Sequence, residues 1–427
     1  MLKRNFMICY FTLILLLFCA EAGLPQQKIA VHADRMLDVR SGQIIQDVYI
    51  LVKDNRISDV GGKDIARNVK VIELGDMTLL PGLIDMHTHL TLDLVGDWYI
   101  RPVKETAADL ALRGARNARK TLLAGFTTVR DIDSTYFTDI ALMHATENNF
   151  IDGPRIVPVG HAITITGGHG DFSGFVPGIL EREPEFGVAD GREEVLRAVR
   201  YQIKHGAKWI KFYATAGVYS FEGPVGAQQY SEEEMKVIVE EAARHGLKVA
   251  AHGHGTEGII AAIKAGVHSI EHGSMLNDEA IRLMKKYGTY LVPTTYLLDA
   301  IDFDALPPQT SKKAKFIKKF ARESHRKAIA AGVKIAYGTD ACVFPHGDNG
   351  KEFAVLVQLG MAPIEAIRTA TLNATDLLGV DDRGIIEKGR LADMIAVRGN
   401  PLENVSVLEE VQFVMKDGKV YKMPRKK

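Results

Sequence analysis

Between Pro81 and about Leu378 the sequence alternates short β-rich runs with longer helical patterns, which leaves few architectures open. The runs are Gly82 to His87, Phe126 to Arg130, Arg155 to His161, Lys208 to Tyr213, Leu247 to His252, Ser269 to His272, Thr289 to Pro293 and Lys334 to Gly338. Helical signals lie between them: Ser231 to His245 opens with Ser231-Glu232-Glu233-Glu234, a capping-box pattern. Eight strands alternating with helices predict an α/β fold, a (β/α)8 TIM barrel. Runs such as Leu247-Lys248-Val249-Ala250-Ala251 suit parallel strands covered on both faces. A doubly wound sheet fits less well, because no Gly-x-Gly-x-x-Gly follows an early strand.

The flanks read differently. Ile29 to Ala33, Val48 to Val52, Arg56 to Val60 and Val71 to Glu73 are short strands separated by turn residues, and Asp393 to Val397 and Val411 to Met415 resemble them. Both ends are expected to form one small β-sandwich domain, residues 23–80 and 381–427, around a barrel of residues 81–380. The first 22 residues have the layout of a cleaved signal peptide: Lys3 and Arg4, an apolar stretch from Phe6 to Ala20, then Ala20-Glu21-Ala22. The stretch is shorter than a spanning helix, so no stable membrane insertion is expected after cleavage, and the location is periplasmic or secreted. Cys9 and Cys19 fall inside that signal, leaving Cys342 as the one cysteine of the mature chain and no internal disulfide. Lys+Arg and Asp+Glu balance at 53 each, which gives no basic excess for a nucleic-acid partner.

Barrels of this kind carry their chemistry at the carboxyl ends of the strands. His87, His89, Lys211, His252, His272 and Asp340 all fall there. In extended chain, His87 and His89 point to one side, and two neutral imidazoles make half of a metal site. Taken singly, each histidine fits a hydrogen-bonded core residue as well. Lys211, between Ile210 and Phe212, needs a partner or a depressed pKa. Carbamylation by carbon dioxide would turn its amine into a carboxylate able to bridge two metal ions; a salt bridge to Asp340 or Glu271 is the alternative.

Leu80-Pro81-Gly82-Leu83-Ile84-Asp85-Met86-His87-Thr88-His89, Ile210-Lys211, Ala251-His252-Gly253-His254-Gly255, Ser269-Ile270-Glu271-His272-Gly273, Gly338-Thr339-Asp340-Ala341 and Gly389-Arg390-Leu391-Ala392-Asp393-Met394 stand in this order. Together they resemble the amidohydrolase superfamily of binuclear metal hydrolases, over essentially the whole mature chain. The resemblance implies one zinc ion held by His87, His89 and Asp340 and a second by His252 and His272. N6-carboxylated Lys211 and a hydroxide are shared between them. It also implies hydroxide attack on an amide carbonyl, with Asp340 as the catalytic residue that takes the proton and passes it to the departing amine.

The loop Thr166-Gly167-Gly168-His169-Gly170-Asp171 looks like the imidazolonepropionase-like branch, which includes Xaa-Pro and Xaa-Arg(Lys) dipeptidases, carboxypeptidases and N-acyl amino acid amidases. The long glycine-rich segment from about Ala162 to Asp190 is expected to cover the site. His169 and His254 are candidates for gripping a substrate carboxylate, and Tyr219 and Tyr230 for either substrate contact or packing. His254 stands where Xaa-Pro relatives carry tyrosine, which tilts the expectation toward a C-terminal Arg, Lys or aromatic residue. Asp171 and Glu222 near the rim would receive the cation. The function expected is a binuclear zinc hydrolase of dipeptides or N-acyl amino acids. The alternatives are a cyclic-amide hydrolase and a non-catalytic barrel that only binds. Relatives are often homo-oligomers, but nothing in the sequence fixes a copy number.

Overall fold

The computed structural model describes residues 28–220 and 223–425. The expected signal peptide with Cys9 and Cys19, and Glu222, lie outside the described residues. The chain opens with strands Lys28–Asp38 (β1), Gln43–Lys53 (β2), Arg56–Gly61 (β3), Lys70–Glu73 (β4) and Met77–Pro81 (β5). The barrel follows with Leu83–Thr88 (β6), Phe126–Asp131 (β7), Arg155–Pro158 (β8), Trp209–Tyr213 (β9), Lys248–Gly253 (β10), Ser269–His272 (β11) and Tyr290–Val292 (β12). Met394–Arg398 (β13), Phe413–Lys416 (β14) and Lys419–Lys422 (β15) return to the first sheet.

The barrel strands form two parallel sheets, β6-β7-β8 and β12-β11-β10-β9. Backbone bonds close the seams. On one side Lys208 N–H donates to Pro158 and Ile163 N–H to Lys211. On the other, the segment Lys334 to Asp340 completes the circle: Ala336 N–H donates to Leu291, Met86 N–H to Tyr337 and Asp340 N–H to His87. Two expected strands are shorter or less regular than the sequence suggests, for local reasons. Arg155 to His161 stops at Pro158 because the N–H groups of Val159 and Gly160 donate to the Asp139 carboxylate instead. Lys334 to Gly338 forms only an isolated parallel bridge, Ile335 with Leu291, because Tyr337 N–H turns aside to the Thr369 carbonyl. The helix Glu232–Arg244 opens with the expected capping box, in which Ser231 and Glu234 bond reciprocally.

Alternation along the strands separates two environments. Trp209, Ala250, Tyr290, Val292 and Ala336 belong to one cluster inside the barrel. Ile210, Phe212, Val249, Ala251, Ile270 and Leu291 join the layer between strands and helices. Two positions beyond Trp209 and Ala250, on the same inward side, come Lys211 and His252. The barrel interior is therefore apolar at its base and polar at its carboxyl end.

Both chain ends build one eight-stranded sheet, ordered β15-β14-β13-β5-β1-β2-β3 with β4 beside β1, and β13 pairs antiparallel to β5. It curls around its own core, which includes Val31, Ile50, Leu79, Met394, Ala396 and Phe413. The intervening residues Leu80, Ile395, Val397 and Val414 face the barrel core instead. Among the described residues no helix is long and apolar enough to cross a membrane.

Candidate active site

All six expected metal ligands, His87, His89, Lys211, His252, His272 and Asp340, line one cavity of about 200 Å³ at the carboxyl end of the barrel. Asp340 Oδ1 lies 3.5 Å from His87 Nε2 and 3.2 Å from His89 Nε2. The rings of His87 and His272 are 4.9 Å apart, and those of His252 and His272 4.7 Å. His272 (φ 70°), Thr294 (φ 49°) and Asp340 (φ 57°) hold left-handed backbone conformations. Each costs about 1–3 kcal/mol for a residue with a side chain, so the fold spends stability at three neighbouring strand ends to aim these groups.

The tautomers are set from outside the cavity. His87 Nδ1–H donates to Glu271 Oε2 at 2.8 Å, and His89 Nδ1–H to the Asp133 carbonyl at 3.3 Å. Carboxylate and carbonyl only accept, so the Nε2 lone pair of each ring is left for an electrophile. His272 Nδ1 bonds Thr294 Oγ1 at 2.7 Å, and His254 Nδ1 bonds Ser274 Oγ at 2.8 Å. His252 Nε2 is buried with no hydrogen-bond partner among the described residues. Burial, together with neighbouring histidines, holds the His252 and His272 imidazoles well below their usual range, so both are neutral. Among the described residues donor atoms converge within 4.8 Å in three groups: His252, His254 and His272; His87, His272 and Asp340; and His89, Asp340 and Cys342. Neutral imidazoles with fixed tautomers around a carboxylate form a donor set that fits divalent metal.

Lys211 is 2% exposed, and burial lowers its amine to about 8. The salt bridge to Asp340 or Glu271 considered from the sequence is not formed. Glu271 is taken by Arg130, whose Nη2 donates to it at 2.8 Å, and by His87. Burial alone would raise the Asp340 carboxyl; His87 and His89 beside it outweigh that and hold it well below the carboxylate range.

His169 and Tyr219 line this cavity and a smaller adjoining one, and His254 lines only the smaller. His169 Nδ1 bonds Ser220 Oγ at 2.8 Å. Tyr230 is a correction: its ring is buried against Phe212, its hydroxyl donates to the Ala189 carbonyl at 2.8 Å, and it reaches neither cavity. The segment from Ala162 to Asp190 supplies a wall through His169, Asp171, Phe172 and Arg182.

Four residues were not singled out from the sequence. Arg130 and Asp85 did carry a signal, as charges inside apolar strand runs. Arg130 is fully buried and donates to Met86 O, Ser269 and Glu271; Asp85 accepts from Thr339, Asn349 and His87 N–H and ties the first strand to the last. Lys313, whose Nζ donates to the Ser220 carbonyl, and His325, whose Nε2 donates to the His272 carbonyl, come from helix Pro308–Ala330, where no periodicity marks them.

The amidohydrolase family model matches residues 78–421. A solved Xaa-Pro dipeptidase with methionine bound in its active site matches with a TM-score of 0.89 at 40% identity, covering 92% of this chain and 100% of that one. Ochratoxinase from Aspergillus niger is 36% identical over 94% of this chain and 88% of its own length. Its crystal structure matches with a TM-score of 0.83, covering 93% of this chain and 96% of that one. On this similarity the chain belongs to the amidohydrolase family and is a hydrolase acting on carbon–nitrogen bonds.

Proposed function

We propose that this protein is a binuclear zinc hydrolase that releases the C-terminal amino acid of a dipeptide or an N-acyl amino acid, acting outside the cytoplasm after removal of residues 1–22. The observation that carries the reading is the ring of buried imidazoles whose tautomers are fixed by Glu271 and Asp133, closed by Lys211 and Asp340. His87, His89 and Asp340 would hold one ion, His252 and His272 the other, with Lys211 between them as its carbamate. When bound, the two ions would supply an acidified water and an electrophile for the scissile carbonyl.

The chain's own groups do the rest. The depressed pKa of Lys211 leaves part of its amine unprotonated near neutral pH, the form that adds carbon dioxide. Asp340 carries the proton from the attacking water to the departing nitrogen, acid and base in turn. His169 and His254 are neutral, pushed by burial to about 3, and meet the substrate carboxylate through N–H donors. A carboxylate held by these two rings would lie beside the reacting carbonyl.

The test is release of free amino acid from a panel of dipeptides and N-acyl amino acids by zinc-loaded protein supplied with bicarbonate. Asp340→Asn should lose about 100-fold or more of kcat. Lys211→Ala should lose metal as well as rate, with partial return on adding a short carboxylate. Silence across the panel from protein holding two metal ions would overturn the reading.

A further inference from the structure

We propose that the smaller cavity receives the side chain of the released amino acid and selects an uncharged apolar one of the size of methionine, leucine or phenylalanine. This rests on the amide-hydrolase reading above. The cavity measures about 80 Å³ and shares His169, Tyr219, His252, His272 and Asp340 with the larger one, so both open on the same centre. A residue gripped at its carboxylate by His169 and His254 has its Cα at that shared mouth, and its side chain can turn inward.

Away from the site histidines the wall is mainly aliphatic, with Val218, Leu297, Leu298, Ile301, Ile317 and Ala321, and its hydroxyls Ser274 and Thr294 are bonded to His254 and His272. Among the described residues no Lys, Arg or Glu lines it. His325 at the wall is tied through Nε2 to the His272 carbonyl at 2.6 Å. A charged side chain would be stripped of water there, and among the described residues the one carboxylate of the lining, Asp340, is already engaged by His87 and His89, so burial of the charge is strongly unfavourable. Asp171, the described rim carboxylate expected to receive such a cation, accepts Gly167 N–H and lines only the larger cavity. Of the two C-terminal classes expected from the sequence, this wall suits the aromatic one and extends it to long aliphatic residues.

The experiment compares kcat/KM of zinc-loaded full-length protein on alanyl-dipeptides and N-acetyl amino acids ending in Met, Ala, Lys or Trp. Binding of free L-methionine and L-lysine is followed in parallel by calorimetry. Wild type should favour Met over Ala by about 10-fold or more, with Lys below both. Ala321→Leu fills the cavity and should cut the Met-to-Ala ratio about 10-fold and abolish methionine binding. Leu298→Ala widens it and should move the preference toward tryptophan. Phe320→Ser, on the exposed face of the same helix, should leave the ratio as in wild type.

A preference for Lys, or ratios unmoved in both wall variants, would overturn the pocket while leaving amide hydrolysis standing. Methionine binding that disappears in Ala321→Leu, in a protein that cleaves no amide, would support the pocket and sink the hydrolase reading. Neither cleavage nor binding would overturn both.

Discussion

Gly217 lacks a side chain where His169 takes the space: a Cβ there would lie 2.1 Å from the His169 Cε1. Gly217→Ala must push the imidazole away from Ser220 and out of line with the substrate carboxylate. The expected result is a fall in kcat/KM of about 100-fold with bound metal unchanged, read by kinetics beside metal analysis. Wild-type kinetics in that variant would remove His169 from substrate binding. Glu271 tests the support beneath the metal ligands. Glu271→Gln strands the fully buried Arg130, so unfolding in denaturant should show a loss of about 3–5 kcal/mol. The loss of His87 orientation should weaken metal binding about 10–100-fold. A variant with full stability and full metal affinity would contradict both roles. His87, His252 and Asp340 are legible in the sequence because strand ends are marked by the apolar runs that precede them. Tyr230 is not, because an aromatic residue in a loop reads alike whether its hydroxyl meets a backbone carbonyl or a substrate. His325 is invisible for a different reason: its bond to His272 joins residues far apart in sequence and leaves no periodic trace.

Helices Gly191–His205 and Glu232–Arg244 are clasped at their outer surface by Glu241, which accepts from Arg200 at 2.6 Å and from Arg244 at 2.7 Å. Its carboxyl is 2% exposed, whereas the guanidinium groups are more than half exposed, so solvent screens the pair. The hydrogen bond from Arg200 leads in holding this carboxyl at about 2, against an ordinary 4.5. A folded value below the unfolded one means the clasp contributes fully above about pH 4.5 and is lost as pH falls toward 2. Glu241→Gln should therefore cost about 1 kcal/mol at neutral pH, and the gap from wild type should narrow in acid. Denaturant midpoints at the two pH values check it; a gap that stays constant would assign the loss to packing. Strand positions are legible at this scale because period two and apolar runs are local properties. The ends of the strands from Arg155 and from Lys334 are not, since a side chain of one helix and the last carbonyl of another take the N–H groups that a longer ladder would use.

Strand β13 lies between two hydrophobic cores, with Met394 and Ala396 turned to the curled sheet and Ile395 and Val397 to the barrel. Its apolar sequence therefore shows no alternation, although its two faces serve different bodies. The sequence reveals that both chain ends join one sheet. It does not reveal how that sheet is fastened to the barrel, because beside the apolar seam lie polar contacts that follow no spacing rule. Arg155 at the start of β8 donates to Asp393 at 2.9 Å and to Asp417 at 2.6 Å, from the barrel to the residue before β13 and the turn between β14 and β15. The Asp393 side chain is 2% exposed and also accepts Asp417 N–H. Removing the guanidinium leaves that carboxylate buried beside a single donor, so Arg155→Met should cost about 3 kcal/mol. Asp393→Asn leaves the arginine poorly paired and should also destabilise, by a smaller amount because Asp417 remains. If the contact fastens the two bodies, the double variant loses less than the sum of the singles, with a coupling of at least about 1 kcal/mol in a denaturant cycle. Strictly additive losses would mean that the aliphatic seam of Leu80, Ile395 and Val414 alone holds the sheet to the barrel, and that Arg155 serves only to neutralise two carboxylates.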